Sequence, residues 1–176
     1  IAGAISIINR KPTNEFEGSV NASYEFEHKE TQLTGMLNLP ISDMAGARVV
    51  GYYRKMGGYF DNVALGRNEP KAESLFFRGT FGLGDGGPVE ASLKLEYGEF
   101  DTKGQARENF GPRGTYSASP FFRTVETDLD YRSQMGEFDS RNKIFNTALN
   151  IDIEAGAHTV SLVSGYVHYN TRELAD

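Results

Sequence analysis

Residues 16–27 alternate perfectly between apolar or small side chains and polar ones, and this alternation sharply limits what the chain can fold into. The even positions run from Phe16 to Phe26, and the odd positions carry only glutamate, serine or asparagine. Successive side chains of a β-strand point to opposite faces, so the run predicts a strand with one apolar and one wet face. A helix would scatter the same glutamates around its axis.

Period two returns in six further runs, at 33–41, 48–54, 75–83, 89–97, 145–153 and about 158–170. The last run has an ambiguous phase, because Val160 and Leu162 fall opposite Val163 and Tyr169. Short connections rich in Gly, Asp and Ala, at 43–46, 84–87 and 154–157, alternate with other connections that are mostly longer. Consecutive hairpins would place all the tight turns at one end of the sheet. The sequence therefore predicts an all-β antiparallel meander of about seven strands.

Composition excludes several classes of function. The 176 residues carry 18 basic and 24 acidic side chains, for a net charge of -6, which disfavours binding to nucleic acid. Without cysteine the chain has no disulfide, thiolate catalysis or Cys-based metal site. No run approaches the ~18 apolar residues of a membrane-spanning helix.

Strand length and aromatic placement favour a membrane barrel over a soluble sandwich. The runs extend to roughly 10–14 residues, against ~5–6 for soluble strands and ~9–11 for strands that cross a membrane. Seven strands cannot close a bacterial barrel, which has an even number, so we expect a partial barrel whose remaining strands follow residue 176. Aromatic residues gather toward the long connections and predict an interfacial girdle. Its members are Tyr24, Phe26, Tyr59, Phe60, Phe77, Tyr97 and Tyr169.

The wet faces of the strands carry charges of both signs. Mixed charge suits contact with water or a polar plug inside a barrel better than a dry core, where an unpaired charge is costly. The residues expected to face the lumen are Glu17, Glu25, Arg48, Arg54, Arg78, Glu90, Lys94 and Glu96.

No motif in the sequence predicts catalysis, a metal site or a cofactor. Residues 82–87 fit a Gly-x-Gly-x-x-Gly pattern, but Pro88 and another alternating strand follow where a phosphate-binding motif needs a helix. Ser164 and His168 lie four residues apart on a strand, about 13 Å, too far for direct proton transfer. Asp128 and Asp130 lack the Gly and the closing Glu of a calcium loop.

The connection at 101–140 is the best candidate for contact with a small ligand, because functional residues concentrate on long loops over rigid scaffolds. Arginine and aromatic side chains together suit an anionic or aromatic ligand. The candidates are Arg107, Phe110, Arg113, Tyr116, Phe121, Phe122, Arg123, Tyr131 and Arg132.

Residues 3–12 read Gly-Ala-Ile-Ser-Ile-Ile-Asn-Arg-Lys-Pro, and a Phe16-x-Gly18-x-Val20 strand follows. This start of the chain resembles the junction between plug and barrel in TonB-dependent outer-membrane receptors. Residues 52–62 are similar to the family's third strand and the start of its second external loop. The resemblance covers essentially the whole chain, with residues 1–13 as the last plug strand and linker and residues 14–176 as the N-terminal part of the barrel.

The resemblance implies energised import across the outer membrane of a Gram-negative bacterium. Receptors of this family take up a ferric siderophore, cobalamin or a carbohydrate, and they contact the TonB complex through a region that would precede residue 1. Two alternatives stay open: a passive porin or structural outer-membrane barrel, and a soluble extracellular β-sandwich used for adhesion. A plug of more than a hundred residues before this chain would favour the receptor over the porin.

Overall fold

The computed structural model of the chain describes residues 9–62, 65–84, 86–105, 132–133 and 137–175. These residues form strands, turns and irregular segments, and none of them lies in a helix, so no helix here could cross a membrane. The ten strands are β1 (Glu17–Glu25), β2 (Glu30–Ser42), β3 (Ala45–Met56), β4 (Phe60–Asn62), β5 (Arg67–Glu69), β6 (Lys71–Leu83), β7 (Val89–Lys103), β8 (Arg132–Ser133), β9 (Phe138–Ala155) and β10 (His158–Ala175).

Seven strands form one antiparallel sheet in the order β1-β2-β3-β6-β7-β9-β10, so neighbours in the sheet are also successive long strands of the chain. The predicted all-β meander of seven strands is confirmed. The main departures are in length: β7 reaches Lys103, and β9 begins at Phe138, before the apolar alternation starts. The pairing of β2 with β3 shifts once, between Pro40 and Ser42.

The connections β2–β3, β6–β7 and β9–β10 all lie at one end of the sheet, here called the tight-turn end. Glycine is required in the second of them. Gly84 has a φ of 85°, and a Cβ there would lie 1.8 Å from the Val89 carbonyl oxygen. Its N–H donates to the Met44 carbonyl at 2.7 Å, which ties two neighbouring turns together. The opposite end, here the long-loop end, carries the β1–β2, β3–β6 and β7–β9 connections.

A second, three-stranded sheet in the order β5-β4-β8 lies within the long connections, and the period-two pattern does not predict it. Its anchor is Glu69, which is 1% exposed. The Glu69 carboxylate accepts hydrogen bonds from Asn62 Nδ2 and Arg67 Nε, both at 2.8 Å. Gly104 packs directly on Glu69, and its N–H donates to the Phe138 carbonyl at 2.8 Å. The two ends of the long connection between β7 and β9 are therefore held side by side.

The large sheet has almost no buried apolar core. Among the described residues, Ala47 and Met56 are the buried hydrophobic side chains, whereas large hydrophobic side chains are exposed along every long strand. An antiparallel sheet in water normally covers one face with a second layer. Here the apolar face carries no such layer within the described ranges.

Candidate functional site

The cross-strand register sorts the side chains of the large sheet into two faces. Glu17 pairs with Asn38, Asn38 with Arg48, Arg48 with Thr80, and Thr80 with Lys94, so these five side chains form one row on one face. We call this the polar face. All the residues predicted to face a lumen share it: Glu17, Glu25, Arg48, Arg54, Arg78, Glu90, Lys94 and Glu96.

The other face is apolar and open. One of its rows runs through Leu37, Val49, Gly79 and Leu95, and the next through Leu39, Ala47, Phe81, Leu93 and Leu149. Phe81 is 44% exposed and Val49 is 43% exposed. On β7 this apolar face extends from Val89 to Tyr97, a rise of about 26 Å along the strand at ~3.3 Å per residue.

Charged side chains end the apolar face abruptly at the long-loop end. Two residues after Tyr97 on the same face lies Glu99, followed by Asp101, and their partners on β9 are Lys143 and Arg141. Lys143 Nζ lies 3.0 Å from Glu99, and Arg141 Nε donates to Asp101 at 2.9 Å. The hydrogen bond from Lys143 lowers the pKa of Glu99, and the same contact raises the pKa of Lys143. This charged border therefore separates an apolar region from a hydrated one within two residues.

Tyrosine rings lie at this border with their hydroxyls turned toward the charges. Tyr97 donates to Glu99 at 3.2 Å, and Tyr53 donates to Glu73 at 3.0 Å. Each ring belongs to the apolar face and each hydroxyl bonds to the charged border, which is the placement that amphipathic rings favour at an interface.

The residues predicted to form the aromatic girdle do not all share the apolar face. Tyr24, Phe77 and Tyr97 do, and Phe26 stacks edge-on against Tyr24 just beyond β1, at 5.0 Å. Phe60 is the first residue of β4 in the small sheet, and Tyr59 directly precedes it and contacts His28 with ring centroids 4.6 Å apart.

Tyr169 lies on the polar face, opposite Ile144, and its hydroxyl donates to Asn142 at 2.8 Å. The register also settles the phase of β10, since it places Leu162 and Tyr166 on the apolar face and Val163 and Val167 on the polar face.

Ion pairs organise the polar face. Glu96 is its centre: the carboxylate accepts from Arg78 Nε and Asn146 Nδ2, both at 2.6 Å, and lies 3.1 Å from Lys94 Nζ. The guanidinium of Arg78 also lies over the Phe76 ring at 5.3 Å. Two further ion pairs also join different strands: Arg48 lies 3.6 Å from Glu17, and Arg54 lies 2.6 Å from Glu30.

The polar face is the more enclosed of the two. Its buried side chains include four polar ones, Asn38, Thr80, Glu96 and Ser140, and one apolar one, Met56 at the long-loop end. No buried side-chain nitrogen or oxygen of the described residues lacks a hydrogen-bond partner. Buried polar groups with complete hydrogen bonding are stable, whereas unpaired ones are costly.

The segment before β1, residues 9–16, crosses this polar face near the tight-turn end. Asn38 is fully buried beneath it and is the main contact. The Thr13 N–H donates to Asn38 Oδ1 at 3.1 Å, and Asn38 Nδ2 lies within 3.0 Å of Thr13 O and Thr13 Oγ1 and 2.6 Å from Glu15 O. Lys11 Nζ lies 3.6 Å from Glu90, at the edge of a small cleft that Asp152 also lines.

The predicted ligand-contact residues Arg107, Phe110, Arg113, Tyr116, Phe121, Phe122, Arg123 and Tyr131 lie outside the described residues. Arg132 is described by its backbone alone, as part of β8, which pairs in parallel with β4. Of residues 1–13, predicted to be the last plug strand and linker, residues 1–8 likewise lie outside the described residues. Where side chains are described, no group of three or more His, Cys, Asp or Glu could hold a metal ion.

The sequence did not predict the roles of Asn38 and Glu69, two buried residues whose side chains hydrogen-bond to other segments. Each is a single polar residue in a strand, with no motif around it, and only the pairing of distant segments gives it partners.

Known protein families, curated proteins and solved structures were compared with the chain, and none of them matches. The functional argument therefore depends on the two faces of the sheet and on the segment that crosses one of them.

Proposed function

We propose that the chain is part of the wall of a plugged outer-membrane β-barrel, and that the whole protein is a TonB-dependent importer of a scarce nutrient. One observation carries the proposal. A single long-stranded antiparallel sheet has an open apolar face that ends at a row of charges and an opposite face of cross-strand ion pairs around the buried Glu96.

Lipid is the cover that this apolar face fits. Soluble monomers rarely expose a contiguous apolar patch larger than a few hundred Å², and each Å² left in water costs about 25 cal/mol. On β7 and β9 the apolar residues give way to paired charges at the same height across the sheet, and packing against a second protein layer would not require this. A bilayer does require it, because its hydrocarbon core ends in a hydrated headgroup region.

Closure into a barrel follows from the same assignment. Within the described residues the outer edges of β1 and β10 have no strand partner. In hydrocarbon each unpaired backbone N–H or C=O costs several kcal/mol, so strands span membranes only as closed barrels. The polar face then becomes the lining of the lumen, which suits its cross-strand ion pairs.

The plug assignment draws its support from the segment that crosses the polar face. Residues 9–15 run on the side that would be the lumen, which is where a plug connected to β1 would enter. Together with the resemblance of residues 3–20 to a plug–barrel junction, this favours a plugged importer over an open porin. The cargo would be a ferric siderophore, cobalamin or a carbohydrate, and TonB would be the energising partner.

Paired cysteine variants test the membrane assignment, because the chain has no cysteine of its own. Leu149 and Asn150 are neighbours on β9 that lie on opposite faces. In outer-membrane vesicles opened to reagent on both sides, we expect a water-soluble maleimide to label Asn150→Cys at least tenfold faster than Leu149→Cys. Equal labelling, or a detergent-free monodisperse monomer, would overturn the membrane assignment.

Energy dependence tests the import assignment. Deleting the gene should abolish uptake of at least one of three labelled probes: an iron(III) siderophore, cobalamin or an oligosaccharide. In the wild-type cell a proton uncoupler should abolish the same uptake. Uptake that survives the uncoupler would identify a passive porin instead.

A further inference from the structure

We infer that Asn38 is a positioning residue that fixes residues 9–16, here called the linker, to the polar face of the sheet. Movement of the preceding segment then stops at Pro12 and does not pass into β1. The inference rests on the proposed function only for what the linker connects, since the contacts themselves lie entirely within this chain.

The first support is the saturation of the Asn38 amide. Its oxygen accepts from the Thr13 N–H, and its nitrogen lies within hydrogen-bond distance of three linker oxygens, on Thr13 and Glu15. With none of its surface exposed, Asn38 would lose every one of these partners if the linker lifted away. Leaving a buried polar group without partners costs more free energy than one ordinary hydrogen bond contributes.

The second support is a notch into which Pro12 fits. Gly46 and Gly82 are direct partners across β3 and β6 on the polar face. A Cβ at Gly46 would lie 2.9 Å from Pro12 Cβ, and one at Gly82 would lie 3.5 Å from Pro12 Cδ. The proline ring therefore occupies space that any other residue at position 46 would fill, and its rigid ring loses little entropy on docking.

The third support is that the contacts reach several strands. The linker bonds to Asn38 on β2, packs on β3 and β6, and Lys11 pairs with Glu90 on β7. Asn14 Nδ2 also donates to the Asp43 carbonyl at 3.2 Å. A segment held by β2, β3 and β6 follows the sheet rather than its own N-terminal neighbours, so the hinge for any plug displacement lies before Pro12.

Limited trypsin cleavage tests the inference. Arg10 is followed by Lys11, and the protease must draw the flanking residues, Thr13 included, into its site before it can cut. We expect Asn38→Ala to speed cleavage after Arg10 by roughly tenfold or more. Asn38→Asp keeps the acceptor for the Thr13 N–H but turns a carboxylate oxygen toward the carbonyls of Thr13 and Glu15, so it should not restore slow cleavage.

The matched control is Asn146→Ala, which removes another polar-face asparagine that bonds to Glu96 and not to the linker. It should leave cleavage after Arg10 unchanged. Hydrogen exchange adds a readout that general destabilisation would not reproduce: Asn38→Ala should expose the Thr13 amide while the β2–β3 amides keep their protection.

Equal cleavage rates in the wild type and Asn38→Ala, or equal loss of protection in linker and sheet, would overturn the inference. The assay runs in water or in detergent, so a failed membrane assignment would leave it interpretable.

Discussion

The two faces of the large sheet are built by the same strands, yet their polar groups behave differently. On the polar face, charged residues of neighbouring strands form ion pairs at mid-strand, as Arg78 and Glu96 do. On the apolar face, the described ion pairs begin only at the border, with Glu99 and Lys143. The positions of the ion pairs on each face therefore indicate its environment, in addition to its mean hydropathy.

The largest difference between the two faces should appear when an arginine is placed at the middle of each. In lipid vesicles, Leu149→Arg is expected to lower the free energy of unfolding by about 2–4 kcal/mol, because under the proposed membrane assignment the charge would enter hydrocarbon near the midplane. Asn150→Arg, one residue away on the polar face, should change it little, since Asp152 and Glu90 lie on the same face. Urea titration followed by circular dichroism measures both. A larger loss in Asn150→Arg would reverse the assignment of the faces.

The next effect compares an enclosed carboxylate with an exposed one. Glu96→Ala leaves Arg78 and Lys94 without their shared anion, and we expect a loss of about 2 kcal/mol. Glu99→Ala removes a border ion pair and should cost clearly less than Glu96→Ala, because exposed pairs contribute little. Unfolding in the same vesicles gives both values, and equal losses would mean that the polar face is as open to water as the border.

Acid should loosen the β1–β2 connection. The N–H groups of His28 and Glu27 donate to the Glu25 carboxylate, and these bonds, His28 first, lower the pKa of Glu25. A lowered carboxyl pKa means that the stabilisation is complete above the unfolded value of about 4.3 and is lost as pH falls through the folded value.

We expect the His28 amide resonance to titrate with a midpoint below that unfolded value. Glu25→Gln should abolish the step. A midpoint above 4.3 would show that the carboxylate does not hold the turn.

The smallest effect concerns two lysines beyond the charged border. Lys71 and Lys103 are direct partners across β6 and β7, and like charges in that position destabilise a sheet. Lys71→Glu should therefore raise stability by about 0.2–1 kcal/mol, and Lys71→Gln by less. Thermal unfolding at low salt compares them, and the gain should shrink at high salt. A loss in Lys71→Glu would mean that the position is set by something other than its cross-strand partner.

Strand identity and face could be predicted from sequence because period two is a local signal. Glu17, Arg48 and Lys94 fall on one face by counting alone, and the register confirms that they share it. The phase of β10 could not be predicted, because Val160 and Val163 are equally apolar and only pairing with Ile153 and Asn150 assigns their faces.

Features that depend on distant partners gave no local signal. Glu69 belongs to a three-residue strand that is too short for alternation, and it is buried only because Arg67, Asn62 and Gly104 surround it. The strand ends were also missed at Phe138 and Lys103, where both faces become polar and the apolar pattern stops although the backbone pairing continues.

The notch formed by Gly46 and Gly82 has a consequence for how this chain can vary. Most apolar positions of the open face could exchange among Leu, Val, Ile and Phe, since no second layer within the described residues packs against them. Position 46 has no such freedom, because even alanine would press on Pro12 at 2.9 Å. In orthologous chains we therefore expect the residues of the apolar face to vary, while Pro12 and Gly46 are retained together or replaced together.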